Sequence, residues 1–235
     1  MWAKRMARAA SPSPVRAPGE PVFPAPSHLT RAFFRLRYRP WFWGGEFTSD
    51  WAWKHYPVWR RILAPWRDKP VRIVEIGSWE GRSARFFLKY LRRSTITCID
   101  TFQGTPEEDY VYKLAGDRLS GVEGRFERNL AAFHPRVEKI KNRSTEALAQ
   151  LAANGRRFDL AYIDAGHRYD QVMADSTAVW PLIDPGGIVV WDDYEWAPHF
   201  APEQRPKDAI DDFLVAQAGR FQLLAKGDQV IVRRL

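Results

Sequence analysis

An α/β fold is what this sequence predicts: a doubly wound, mostly parallel sheet of seven strands, with helices on both faces and an antiparallel C-terminal hairpin strand. Three observations carry it. From residue 70 onward, short runs rich in Val and Ile alternate with stretches whose apolar residues recur at helical spacing. A glycine-bearing turn follows the first of these runs, and acidic residues stand directly after the second, fourth and fifth. Such alternation implies right-handed crossovers and a sheet buried on both faces.

The elements are read in order. Residues 71–76 form the first strand, and Ala84, Phe87, Leu88 and Leu91 then mark one apolar helix face. Residues 95–99 are the second strand, 123–133 a helix and 137–141 the third strand. A helix over 145–153 follows with Ser144 as its N-cap, and 158–164 is the fourth strand. The next helix carries Val172, Ser176, Val179, Trp180 and Ile183 on one face and stops before Pro185-Gly186-Gly187. Residues 188–191 are the fifth strand and 210–215 lie in a helix ended by Gly219; 221–225 and 230–233 pair around Gly227-Asp228 as a hairpin.

The chain has 235 residues, enough for one large domain of this architecture with appendages. The net charge of +8 is unevenly spread: residues 1–40 hold eight basic residues and one acid, while the other 195 hold 28 and 27. The body therefore lacks the basic bias of a nucleic-acid binder, and nucleic acid is not an expected partner. No apolar run approaches the roughly 20 residues that span a bilayer. The single Cys98 lies within a strand, which excludes a disulfide framework and a thiolate zinc site and fits a reducing, cytoplasmic setting.

Three regions follow. Residues 1–28, rich in Pro, Ala and Arg, lack apolar periodicity and are expected to be a disordered basic tail without a secretory signal. Residues 29–69 form a Trp-rich lead-in or lid, with six of the eleven tryptophans (Trp41, Trp43, Trp51, Trp53, Trp59 and Trp66). Such aromatics need a surface to cover, so the segment is a helical layer on the core, a lid or homo-oligomer interface, or a peripheral membrane contact together with the arginines of 31–39. Residues 70–235 are the main domain. The loop over 104–121 is long enough to belong to a lid.

In a sheet of this kind ligands bind beyond the carboxyl ends of the strands. The first is followed by Glu75-Ile-Gly77-Ser78-Trp79-Glu-Gly81-Arg-Ser83, where glycines let the backbone approach a ligand and the next helix offers its positive end. The G-x-G-x-x-G spacing is missing, so a dinucleotide is disfavoured; an ordinary strand-to-helix connection has the same appearance. Asp100, after the second strand, can accept both hydroxyls of a ribose, or can simply be solvated. After the fourth strand come Asp164 and His167, and after the fifth Asp192 and Asp193. Three carboxylates at neighbouring strand ends repel unless compensated, and oxygen ligands suit Mg²⁺ or another hard divalent cation. His167 has the ordinary pKa range of a general base.

The stretch IDAGHRYDQVMADSTAVWPLIDPGGIVVWDDY, with EIGSWEGRS and CIDTFQG, resembles the class I S-adenosylmethionine-dependent methyltransferases, nearest to metal-dependent sugar and small-molecule O-methyltransferases. The resemblance covers residues 47–235 and implies a Rossmann-like fold. It implies that Glu75, Gly77, Ser78, Trp79, Gly81 and Ser83 bind the methionine part of S-adenosylmethionine, that Asp100 binds its ribose, and that Ser144 and Thr145 lie near its adenine. It makes Asp164, Asp192 and Asp193 metal positions, with Asp164 and His167 the catalytic residues. The tail, the Trp-rich lead-in, Trp79 and Trp191 depart from the family pattern, so the acceptor does not carry over.

The expected reaction is methylation of a hydroxyl on a small molecule, such as a sugar or natural product, with a divalent cation assisting and His167 taking the proton. Two alternatives stay open: a metal-independent N- or C-methyltransferase, and a non-catalytic scaffold docking an anionic surface through its basic tail.

Overall fold

The computed structural model describes residues 22–104 and 116–235. Within them seven strands form one sheet: β1 (Arg72–Ile76), β2 (Thr95–Asp100), β3 (Val137–Lys141), β4 (Phe158–Ile163), β5 (Ile183–Trp191), β6 (Phe221–Lys226) and β7 (Val230–Arg234). Their order is β3-β2-β1-β4-β5-β7-β6. The first five run parallel, and β7 lies antiparallel between β5 and β6. Strand order turns back between β1 and β4, which opens a crevice at their carboxyl ends.

The helices are α1 (His28–Tyr38), α2 (Tyr56–Leu63), α3 (Arg82–Tyr90), α4 (Val122–Leu130), α5 (Ser144–Ala153), α6 (Tyr169–Val179) and α7 (Pro206–Ala216). Side chains alternate across each strand, so Ile73, Leu160 and Tyr162 join one core with α3 and α4. Val74, Ile76, Ala161 and Ile163 join a second core with α5, α6 and α7. Burial on both faces explains why β1 and β4 read as near-continuous apolar runs.

The Trp-rich segment is a helical layer on the first core. Ser27 caps α1, its Oγ accepting the Thr30 N–H at 3.2 Å. Tyr56 stacks on Phe86 of α3 at 4.5 Å, and Trp59 meets Tyr162 edge-on at 5.4 Å. The Trp59 indole N–H is satisfied by Gln229 Oε1 at 2.8 Å. Of the expected disordered tail, residues 1–21 lie outside the described residues. Phe23 instead bridges to Ala225 at the edge of β6, its N–H donating to Leu224 O at 2.8 Å. Residues 105–115 of the expected lid loop also lie outside the described residues.

Three local expectations are corrected. Ser144 is the first residue of α5 rather than its cap, and Arg143 holds the cap position without a side-chain bond. Ile183 opens β5, because Pro181 sits in a 3-10 turn (Trp180–Leu182) that ends the helical path; Pro185-Gly186-Gly187 lies within β5, where its pairing with β4 shifts register. The helix over 123–133 ends at Leu130 and continues as a 3-10 stretch (Ala131–Arg136) containing Pro135.

Candidate active site

The strand ends are tied together before any side chain acts. Gly77 N–H bonds Ile99 O at 2.9 Å, Asp164 N–H bonds Ile76 O at 2.8 Å, and Asp192 N–H bonds Ile163 O at 3.0 Å. Gly77 has φ +85°, and a Cβ there would stand 2.1 Å from the carbonyl oxygen of Asp164. The turn thus closes directly on the end of β4. Four residues with side chains, Trp79, Phe102, Asp193 and Ala197, also have positive φ, at 48°, 56°, 55° and 47°. They follow β1, β2 and β5, and such conformations cluster where backbone geometry serves a site.

Asp100 is committed to this turn. Its Oδ2 accepts the N–H groups of Ser78 and Trp79 at 2.8 Å each, and Oδ1 accepts that of Phe102 at 2.7 Å. A carboxylate has about four acceptor sites, and backbone N–H groups fill three of them here. Glu80 is almost completely buried beneath the turn, taking the Thr48 N–H at 2.8 Å, the Thr48 hydroxyl at 2.7 Å and Arg125 Nε at 2.6 Å. This one carboxylate joins the lead-in, the turn and α4.

Glu75 lies fully buried below Ser78 and Ser83, with Cys98 Sγ at 3.6 Å from its Oε2. Burial pushes its carboxyl up to about 7, against the pull of Ser78, Ser83 and Cys98 and with a further push from Asp100. Between the ordinary value of 4.5 and about 7, the unfolded chain has released this proton while the folded chain keeps it. Stability therefore falls as pH rises through that window, by about 3 kcal/mol in all. Glu75→Gln is expected to be more resistant to urea than the parent at pH 8, with the gain vanishing near pH 4.5. Equal stability of the two proteins at pH 8 would count against the upward shift of Glu75.

Ser144 lies beside Asp175 of α6, a carboxyl that burial raises to about 6 while the serine pulls it down. Thr145 is exposed at the next position.

The acidic group divides in two. Asp192 is turned inward: its Oδ1 lies 3.2 Å from His55 Nε2 and accepts the Asp193 N–H at 2.8 Å, and its Oδ2 accepts from the Tyr162 hydroxyl. Burial opposes its ionisation, yet His55 and Tyr162 hold it below the usual carboxylate range. Asp164 behaves oppositely, pushed well above that range by burial and by Asp192 and Asp193. Its Oδ2 is 3.0 Å from the Tyr162 hydroxyl. Neighbouring acids driven apart in this way mark a site where charge is managed.

Asp164, His167 and Asp193 form the other part. One ligand atom from each lies within 4.8 Å of the others, and His167 Nε2 is 2.8 Å from Asp193 Oδ2. The two carboxylates suit Mg²⁺, Mn²⁺ or a related divalent ion, and the crowding that raises Asp164 is what a cation would relieve. The structure thus brings Asp164 and Asp193 together with His167, while Asp192 faces His55 and Tyr162. The Trp196 ring covers His167 at 4.9 Å, and Trp51 of the lead-in approaches Trp79 at 6.1 Å.

Sequence reasoning passed over Glu80, Tyr162 and His55. Tyr162 had a signal, since it lies two residues before Asp164 and so shares its strand face. His55, inside an aromatic-rich segment far away in sequence, had none.

Fold and site together define a class I methyltransferase architecture. Residues 74–194 match the methyltransferase domain family, and the chain belongs to it. It is 23% identical over 158 residues to the uncharacterized protein R132 of Acanthamoeba polyphaga mimivirus, covering 63% of this chain and 64% of that one. It is 24% identical over 156 residues to demethylmacrocin O-methyltransferase of Streptomyces fradiae, covering 62% of this chain and 33% of that one. The chain therefore spans less than two thirds of either relative. Among solved structures, the MycE methyltransferase from the mycinamycin biosynthetic pathway, in complex with Mg, S-adenosylhomocysteine (SAH) and mycinamycin VI, matches with a TM-score of 0.57 and 19% identity, over 86% of this chain and 54% of that one. No helix among the described residues is long and apolar enough to cross a membrane.

Proposed function

We propose that this protein is an S-adenosylmethionine-dependent O-methyltransferase, assisted by a hard divalent cation, that acts on a hydroxyl of a small molecule, such as a sugar or natural product. The observation that carries the reading is the Asp164, His167 and Asp193 group beside the Gly77 turn. The printed names of two relatives, an O-methyltransferase and a methyltransferase with Mg and SAH bound, support it.

S-adenosylmethionine supplies a methyl group already activated on a sulfonium, and a cation between Asp164 and Asp193 would make an adjoining hydroxyl more acidic. The remaining tasks fall to the chain. The backbone from Gly77 to Trp79, held by Asp100, seats the methionine part against the amino end of α3. Asp193 orients His167 through its 2.8 Å contact with Nε2, and the imidazole receives the proton of the acceptor hydroxyl. That oxygen would then accept the methyl group as the methyl's bond to the sulfonium breaks, with SAH as the leaving group. Trp196 packs on His167 and Trp51 on Trp79, and these rings would limit water near the strand ends.

A second reading makes His167 a metal ligand, because it belongs to the same 4.8 Å group. Calorimetry and turnover separate the readings. The parent is expected to bind SAH, to lose activity in EDTA and to regain it with Mg²⁺. Activity untouched by EDTA would favour metal-independent transfer, and failure to bind SAH would favour a scaffold. A loss of Mg²⁺ affinity in His167→Ala would make that residue a ligand.

A further inference from the structure

One cavity lies away from the crevice. It has a volume of about 420 Å³ and is walled by Arg37, Arg60 and Arg67 around Tyr38, Trp41 and Tyr90. Tyr90 closes α3, whose other end adjoins the Gly77 turn, so the helix's nine residues separate the two sites by about 12 Å.

Elsewhere arginines of this chain are matched by acids, as in Arg72 with Asp159 and Asp184, Arg125 with Glu80, and Arg156 with Glu138. Among the described residues no carboxylate lies within 4.0 Å of Arg37, Arg60 or Arg67. An ordinary solvated basic face would spread such charges over a convex surface. Here they surround a concavity floored by two buried tyrosines. Arg60 lies 5.5 Å from the Phe34 ring and Arg67 5.8 Å from that of Tyr90, so aromatic faces steady both guanidiniums. The Tyr90 hydroxyl donates to Arg60 O at 2.8 Å, which joins the end of α3 to α2.

Electrostatics give the same picture. Burial raises the Tyr38 hydroxyl, and Arg60, Arg37 and Arg67 all pull it back down. Burial likewise raises Tyr90, against the pull of Arg60 and Arg67. The three charges therefore converge on one floor. A recess with one sign of charge and low-dielectric walls concentrates counter-ions, and guanidinium forks match the oxygens of phosphate.

We propose that this pocket binds a phosphate group, the chemistry shared by a soluble phosphate ester and a phospholipid headgroup. It goes beyond methyl transfer and does not depend on it. Two probes distinguish the sources: glycerol 3-phosphate by calorimetry, and phosphatidylcholine vesicles with or without phosphatidic acid by flotation at physiological salt.

The expected result is binding of at least one probe by the full chain, weakened about tenfold or more in Arg60→Ala/Arg67→Ala. Arg157→Ala/Arg220→Ala, which removes the same charge elsewhere, is expected to bind like the parent. Arg60→Lys/Arg67→Lys keeps the charge without the forks and is expected to fall between. Binding of glycerol 3-phosphate alone assigns the soluble source, and binding of phosphatidic acid vesicles alone assigns the headgroup. Binding of neither, or equal losses in the pocket and control variants, overturns the proposal. Circular dichroism of each variant confirms that it is folded before binding is compared.

Discussion

His167→Ala is expected to lower methylation by about 10² to 10⁴-fold while SAH affinity stays within about twofold of the parent. The imidazole stands at the end of β4 beside Asp193, and the turn proposed to seat the cofactor is built by Gly77, Asp100 and Glu80, so the proposal puts proton removal and cofactor binding on separate residues. Asp193→Asn tests the orientation of the ring. An amide can present its N–H₂ to Nε2 and stabilise the opposite tautomer, with the proton on Nδ1, so turnover is expected to fall by a comparable factor. Rates for both variants are read with saturating Mg²⁺ to separate proton transfer from weaker metal binding. Turnover unchanged in both would remove His167 from the chemistry.

Gly77→Ala is expected to be the most damaging single methyl group in the domain. Its Cβ would stand 2.1 Å from Asp164 O and 2.5 Å from Asp164 C, both of them backbone atoms that cannot swing aside. The substitution also forces a φ of +85° on a residue with a side chain. Together these are expected to cost about 3 to 5 kcal/mol, read as a shift in the urea midpoint. Gly186→Ala is the control: its φ is +83°, but nothing lies within 4 Å of the added Cβ, so only the conformational cost of about 1 kcal/mol remains. Any stable Gly77→Ala protein should have displaced Asp164, and its metal affinity and SAH affinity should fall together. If the two alanine variants cost the same, the contact between the turn and β4 is not as described.

The sheet was legible because its central strands are buried on both faces. Runs such as RIVEI and FDLAYI have no other economical placement, and the glycine turn and the acids after the strands fall where chain reversal puts them. Side-chain direction was less legible. Asp192 and Asp193 are neighbours in sequence, yet the positive φ of Asp193 sends its carboxylate toward His167 while Asp192 turns to His55 and Tyr162. Nothing in the string DDY encodes that divergence. Ser144 misled for a related reason: a serine before a helix reads as a cap, but here it starts the helix and meets Asp175. The Glu80 hub was hidden because Thr48 and Arg125 come from distant segments that meet only in the folded chain.

The sheet's two outer strands avoid self-association by unlike means. At one side β3 carries Glu138, Lys139 and Lys141, with both lysines paired to acids of α4, and charge of this kind discourages edge-to-edge aggregation. At the other side β6 carries a single lysine, Lys226 at its end, paired to Asp211, and is met by the bridge from Phe23, whose ring is held under the Arg61 guanidinium at 4.2 Å. A variant shortened through Ser27 would present β6 uncovered, a template onto which a second chain could add its own β6, and it should form dimers or precipitate at concentrations where the full chain stays in solution.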